Sequence, residues 1–295
     1  MWESTRSDNN ITAKMARAAK YSKTLTKYYT IGVCFMCSLY IIYPYSVTST
    51  AYFHKEFNSS IEYSANVFPF DIPYKINSFF IFVISVTFQQ IGAIAVCVIW
   101  ASCDTLFAQL TCHVNIQFTV IANELKVIIN NYRDLNDHRT AETKLTNIVN
   151  RYEELFMCCY SIQMFFNPII FFTIISNGIS LCACAYRLND NVINARWGEL
   201  PKQTLALLST SVQTMIYCTF AEALTESSGA VKDGVYNSHW IHCNRKLKKA
   251  LIIIMIRAQK EFKYTAYSMI DINYNQLTQI FNGAMSYFML LRNLS

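Results

Sequence analysis

Polar side chains recur on one face of the last apolar segment of this 295-residue chain. They follow one another at steps of four, four, three, four and seven residues: Asp271, Asn275, Gln279, Asn282, Ser286 and Asn293. At about 100° per residue, these positions fall within about 80° of one another on a helix. Polar groups in hydrocarbon are costly and face protein or water. The stripe therefore indicates either a water-lined path or a surface that hydrogen-bonds to other helices of the same chain.

Two apolar residues, Met289 and Leu290, flank the same face near the end of the stripe. A short apolar ring in a polar conduit can stop ion flow by dewetting. If the stripe lines a pore, these two side chains are therefore the candidate gate.

Aromatic side chains are concentrated in the outer halves of the first two apolar segments. Apolar pockets with a few polar groups suit small hydrophobic ligands, whereas rings at this depth also form belts that face lipid. Depth and chemistry give four candidate ligand-binding residues: Tyr40, Tyr43, Phe82 and Gln213.

Two groups of metal-capable side chains have simpler interpretations. His239, His242 and Cys243 lie close together but have no second cluster elsewhere in the sequence, so we expect no zinc site. Cys34 and Cys37 lie inside an apolar segment, where cysteine packs as a small side chain.

The pair Asn167-Pro168 is similar to the Asn-Pro motif of G-protein-coupled receptors, but we interpret it as a helix kink at proline. The sequence contains no nucleotide-binding loop, nucleophile elbow or metalloprotease motif. We therefore expect a protein that is not an enzyme and that needs no cofactor.

The composition places these residues in a membrane protein. The chain is 53% hydrophobic and 15% charged, whereas a soluble domain carries about a quarter charged residues. Charges are absent from five windows that are close to or above the roughly 20 residues that cross a bilayer. These windows are Tyr28–Phe53, Ile76–Cys103, Leu155–Tyr186, Gln203–Ala221 and Ile272–Leu291. The predicted fold class is an all-α, multi-span membrane protein with five transmembrane helices.

Basic residues predict the orientation. Five spans place 19 Lys and Arg on one side and 6 on the other, and the excess marks the cytoplasmic side. The N-terminus is then inside and the C-terminus outside, with no signal peptide over Met1–Lys27. The sequon at Asn58 lies in the first outer loop and is a candidate glycosylation site. None of the 11 cysteines falls in an outer loop, as expected without extracellular disulfides.

Two long segments remain on the cytosolic side, and residues 1–295 form a single predicted domain. Residues 104–154 predict two helices joined near Asp134–His138. Residues 222–265 predict a helix breaker at Ser227-Ser228-Gly229, followed by a basic helix over Arg245–Lys263. Amphipathic cytosolic helices must bury one face, either against their own chain or against another subunit.

Four motifs follow one another toward the C-terminus: Tyr236-Asn-Ser-His-Trp240, Lys246-Leu-Lys-Lys249, Ile256-Arg-Ala-Gln259 and Ser286-Tyr-Phe-Met-Leu-Leu291. In this order and spacing they resemble the C-terminal signature of the insect odorant receptor family. Phe68-Pro-Phe-Asp71 is similar to an outer-loop motif of the same family. Members of that family have seven spans, so the resemblance implies that the first two are missing here.

The resemblance also implies a function. It implies an odorant-specific subunit of a cation channel that forms a hetero-oligomer, a tetramer, with a co-receptor in the dendrite membrane of olfactory sensory neurons. A small volatile odorant and membrane lipid would be its partners, and no nucleic acid is implied. The last helix would line the pore, with Leu290 at the gate, Asn293 as a nearby polar residue, and the cytosolic helices as the subunit anchor. The alternatives are a gustatory-type subunit, a truncated and non-conducting remnant, and a small carrier.

Overall fold

The computed structural model describes residues 9–53, 79–133 and 138–294, which are almost entirely helical. Within these ranges, six α-helices follow one another: α1 Asn9–Phe53, α2 Phe79–Asn130, α3 His138–Ile193, α4 Leu200–Tyr236, α5 Arg245–Ala258 and α6 Tyr274–Leu294. Short 3-10 turns occupy Asn131–Arg133, Trp197–Glu199 and Trp240–His242. Two antiparallel strands, β1 Thr265–Ala266 and β2 Ile270–Asp271, precede α6. The predicted all-α class is confirmed.

Each predicted span falls on one of these helices. Within the described ranges, α2, α3 and α4 are long and apolar enough to cross a bilayer. Helix α6 has 21 residues and is therefore about 31 Å long, but its polar stripe lowers its mean hydropathy. The number of spans and their orientation stay predictions. Asn58 and the Phe68–Asp71 motif lie outside the described residues.

The second and third spans continue as helix beyond their apolar windows, as predicted. Helix α2 runs without interruption to Asn130, and α3 begins at His138, before the third span. The predicted join near Asp134–His138 therefore separates two helices, although residues 134–137 lie outside the described ranges.

The predicted break at Ser227-Ser228-Gly229 is wrong, because α4 continues through these residues to Tyr236. All three are buried in the helix. The Ser228 hydroxyl donates to the Thr225 carbonyl at 2.8 Å, a bond made within the helix instead of one that interrupts it. These small side chains allow α4 to pack closely against its neighbours. They do not mark a turn in the chain.

The basic helix is shorter than predicted, since α5 ends at Ala258 and not at Lys263. It begins at an Asn244 cap, whose side chain accepts the Leu247 N–H at 2.8 Å. Beyond α5, Phe262, Tyr264 and Ala266 are buried at alternate positions, which is the period of a strand. This change of period ends the helix and leads into β1.

The chain divides into two compact units, Thr26–Thr105 and Met1–Leu25 with Leu106–Ser295. In the Thr26–Thr105 unit, Gln90 Nε2 donates to the Ile41 carbonyl at 2.9 Å and joins α2 to α1. The Tyr29 hydroxyl also donates to Asp104 across the same two helices. In the larger unit, α3 packs against α4 and α6. All the structural elements of the candidate site belong to this larger unit.

Candidate functional site: the last helix and its base

The polar stripe on α6 faces away from the rest of the chain. Asn275, Gln279, Asn282, Ser286 and Asn293 are exposed. The half-buried residues of this helix are mostly apolar: Gln276, Leu277, Ile280, Gly283, Ala284 and Phe288. Within the part of the chain that the structure describes, the stripe is therefore not packed against other helices. Five regularly spaced polar residues on an exposed face of a predicted span need water or a partner subunit.

Asp271 is a correction to the predicted stripe. It lies in β2, three residues before α6 begins, so its side chain is not on the helical face. The helix starts later than the apolar window because Asn273 caps it. The Asn273 side chain accepts the Gln276 N–H at 2.8 Å, and its carbonyl accepts the Leu277 N–H at 3.1 Å.

The two candidate gate residues are on the same outward surface as the stripe. Met289 is 42% exposed and Leu290 is 55% exposed, near the C-terminal end of α6. In the sequence they lie between Ser286 and Asn293, the last two polar residues of the stripe. Their role as a gate stays a prediction.

A polar cleft of about 390 Å³ lies at the base of α6. It is lined by Glu222, Lys263, Asp271 and the first residues of the helix. The Tyr274 N–H points toward Glu222 Oε2 at 3.4 Å, which places a carboxylate near the positive end of the helix dipole. This arrangement fixes the first turn of α6 against α4.

A short hairpin, β1 and β2 with the turn between them, connects the base of α6 to α3. The Ile272 N–H donates to the Tyr264 carbonyl at 2.9 Å and continues the ladder next to α6. On α3, Gln163 Nε2 donates to Thr265 Oγ1 at 2.7 Å, and Asn167 Oδ1 accepts the Tyr267 N–H at 2.5 Å. The hairpin is thus held between α3 and the first turn of α6.

An aromatic core supports the hairpin. The Phe107 ring lies 5.3 Å from Phe166, 4.8 Å from Tyr217 and 5.3 Å from Tyr264, measured between centroids. Thr111 and the Tyr264 hydroxyl share a hydrogen bond at 3.2 Å. A tyrosine hydroxyl is protonated at neutral pH, and burial raises the pKa of Tyr264 further. Phe107 meets Phe166 edge-to-face and meets the two tyrosine rings at tilted angles. Ring contacts at these separations help to fix the position of the strand that leads to α6.

Ser228 connects this core to α4. Its fully buried hydroxyl accepts the Phe262 N–H at 2.9 Å. The neighbouring Gly229 leaves room for Glu261, whose carboxylate also pairs with Lys232 at 2.8 Å. Three contacts of α4 therefore hold the segment that leads from α5 to the hairpin.

Replacing Ser228 with alanine is expected to destabilise the larger unit by about 1–3 kcal/mol, because the buried Phe262 N–H loses its acceptor. Thermal unfolding of the purified protein in detergent measures this change. Ser161→Ala is the matched control, since that exposed hydroxyl bonds only to its own helix, at the Met157 carbonyl. Equal unfolding temperatures for the two variants would contradict the assignment.

The structure describes the side chains of two of the four candidate ligand residues, one in each unit. Tyr40 and Tyr43 lie on α1, but their side chains are outside the described part. Phe82 is buried in the Thr26–Thr105 unit, and Gln213 is buried in the larger unit. Gln213 Oε1 accepts from Asn177 Nδ2 at 3.2 Å and joins α4 to α3. Their role in ligand binding stays a prediction.

The described residues contain no group of three side chains placed to hold a metal ion. The His239 and His242 rings are 6.4 Å apart and line a small cleft of about 110 Å³ with Tyr132. Gln163 carries no sequence signal that would have identified it. Ser228 and Asn167 do carry one, but we interpreted Ser228 as part of a helix break and Asn167 as part of a proline kink, and neither interpretation reveals their contacts.

Known proteins similar to this chain are insect receptors. The family model described as 7tm Odorant receptor matches residues 3–285. Odorant receptor 45a of Drosophila melanogaster is 25% identical over 190 residues, which cover 64% of this chain and 47% of that protein. Putative odorant receptor 92a of the same species is 22% identical over 186 residues, which cover 62% of this chain and 42% of that protein. The chain thus spans less than half the length of these two relatives.

The fold is similar to that of a solved receptor. The olfactory receptor OR5 from Machilis hrabei, in complex with eugenol, superposes with a TM-score of 0.76 and 15% identity. The match covers 98% of this chain and 70% of that chain. A second structure of the same receptor gives a TM-score of 0.76 at 16% identity.

Proposed function

The chain belongs to the insect odorant receptor family, and we propose that it is an odorant-specific subunit of a ligand-gated cation channel. In this proposal the N-terminus is cytoplasmic, and the protein lies in the dendrite membrane of olfactory sensory neurons. A small volatile ligand opens a pore that α6 lines.

The observation that carries the channel proposal is the outward polar face of α6. Asn275, Gln279, Asn282, Ser286 and Asn293 are exposed along a helix about 31 Å long. A face of this kind in a bilayer is stable only when it meets water or other polar groups. Several subunits arranged around a common axis would provide that environment as a water-filled path.

A comparison with a solved receptor supports the proposed ligand class. OR5 of Machilis hrabei is described in complex with eugenol, a small aromatic molecule. The present chain shares that fold, and its predicted spans are rich in aromatic side chains. We infer a small, largely apolar ligand, with Tyr40, Tyr43, Phe82 and Gln213 as the candidate contacts.

A co-receptor partner is supported by the exposed face of α5. Ile252, Ile253 and Ile256 are exposed on this helix, and Ile253 is 66% exposed. Lys249 is exposed on the same helix, and Lys260 is exposed two residues beyond its end. Contiguous apolar residues at the surface of a segment that carries so many charges mark an interaction site. We propose that this face contacts the neighbouring subunit of a tetramer.

Current in cells that express this chain with the family's co-receptor tests the proposal. A panel of volatile compounds, eugenol among them, is applied, and cells with the co-receptor alone are the control. A compound-dependent cation current that exceeds the control supports the channel. Surface delivery of the complex without any such current would contradict it and favour a non-conducting subunit.

A further inference from the structure

The hairpin before α6 has a strained backbone. Tyr267 and Ser268 both have positive φ angles, 49° and 56°. Residues with a Cβ atom rarely adopt this left-handed conformation, and they persist there only when surrounding contacts hold them. The turn is exposed, so burial of its own side chains does not supply those contacts.

The contacts come instead from one face of α3. Gln163, Asn167 and Phe171 recur every four residues and cover about 12 Å of that helix. Gln163 bonds to Thr265 at the start of the hairpin, and Asn167 Oδ1 accepts the N–H of the first left-handed residue, Tyr267. Phe171 packs edge-to-face against the Tyr267 ring, with centroids 5.2 Å apart.

The hairpin leads directly into the pore helix of the proposed function. Ile270 and Asp271 pair with Ala266 and Thr265, and Asn273 then caps α6. Only two residues, Ile272 and Asn273, separate β2 from the helix. A change in the turn therefore moves the first turn of α6, because no flexible linker lies between them.

We propose that Asn167 is a positioning residue for gating: its bond to the Tyr267 N–H holds a strained hairpin and so sets the position of the pore helix. This inference rests on the proposed channel function. The bond stabilises the left-handed turn, while the two positive φ angles oppose it. The hydrogen bond and the backbone strain therefore act in opposite directions on the same hairpin conformation.

Because the two effects oppose each other, removing one or the other should shift channel opening in opposite directions. Asn167→Ala removes the acceptor and disfavours the present hairpin. Ser268→Gly removes the Cβ strain and favours the same hairpin, because glycine adopts positive φ without steric cost. The two variants must therefore shift the ratio of open to closed channels in opposite directions. One hydrogen bond corresponds to a shift of about fivefold.

Single-channel recordings of the complex with the co-receptor, without added ligand, measure this ratio independently of surface amount. We expect shifts of about fivefold with opposite signs for Asn167→Ala and Ser268→Gly. Asn167→Asp keeps an oxygen acceptor and is expected to restore the unmodified ratio. Ser161→Ala, on the same helix, is expected to leave the ratio unchanged, because its exposed hydroxyl donates to the Met157 carbonyl of α3.

Three results would overturn the inference. The first is an unchanged ratio of open to closed channels in Asn167→Ala. The second is a shift of the same sign in Asn167→Ala and Ser268→Gly. The third is a ratio in Asn167→Asp that differs from the unmodified ratio as much as that of Asn167→Ala does. If the unmodified complex shows no channel openings even when the panel of volatile compounds is applied, the proposed function itself fails, and the gating role fails with it. Normal openings with an unchanged Asn167→Ala variant would reject the gating role alone.

Discussion

Replacing Leu290 with alanine is expected to raise the resting cation current several-fold in cells that express this chain with the co-receptor. Leu290 is 55% exposed on the outward surface of α6, beside the polar stripe. In the proposed pore, its side chain narrows and dries the conduit, so a shorter side chain lets water and ions pass more easily. Whole-cell current, divided by the amount of protein at the surface, measures the effect.

Leu208→Ala is the matched control for this variant. Leu208 is also leucine and is 52% exposed, but it lies on α4 and outside the proposed pore. Its current should equal that of the unmodified chain. A resting current that rises equally in both variants, or in neither, would reject the gate assignment.

Gly234→Ala is expected to destabilise the larger unit. A Cβ at this position would lie 2.7 Å from the Ala122 carbonyl oxygen. This oxygen belongs to the α2 backbone, so it can move only if the two helices separate. Overpacking of this kind costs about 1–3 kcal/mol. Thermal unfolding of the purified protein in detergent measures the loss.

Gly178→Ala is the control for the glycine variant. Nothing lies within 4 Å of a Cβ at Gly178, which is also within a long helix. Alanine there should gain about 0.5–1 kcal/mol from helix propensity. An unfolding temperature that is unchanged or higher for Gly234→Ala would contradict the close contact between α4 and α2.

Helices are the part of this fold that the sequence predicts well. Charge-free windows of the length of a bilayer are one-dimensional signals, and each of the five falls on a helix. The continuation of α2 and α3 beyond the apolar windows was also predictable, because neither contains a glycine or proline near the window edge that faces the cytosolic segment.

Tertiary contacts explain where the prediction failed. Ser227-Ser228-Gly229 has the composition of a break, but the buried Ser228 is stabilised by a Phe262 N–H that lies 34 residues further along the chain. The strands β1 and β2 have two residues each, too few for a recognisable alternation. The end of α5 is visible only when the burial of Phe262 and Tyr264 is known.

Part of the candidate site was predictable from the sequence, and part was not. The stripe on α6 follows from local periodicity, so five of its six residues lie on one exposed face. Asp271 falls outside the helix because the Asn273 cap delays its start, and an extrapolated period cannot show a cap. The contact of Asn167 with Tyr267 spans 100 residues, so the sequence alone could show the Asn-Pro pair but not its partner.

The central claim is that the polar face of α6 lines a cation pore, and a charge placed in the middle of that face tests it most directly. Asn282 is exposed near the centre of the helix. Single-channel conductance is measured for the co-receptor complex with Asn282→Asp and with Asn282→Lys. A pore-lining position predicts that aspartate raises cation conductance and that lysine lowers it, with the two differing by about twofold or more. Equal conductance in both variants, while the channels still open, would show that α6 does not line the pore.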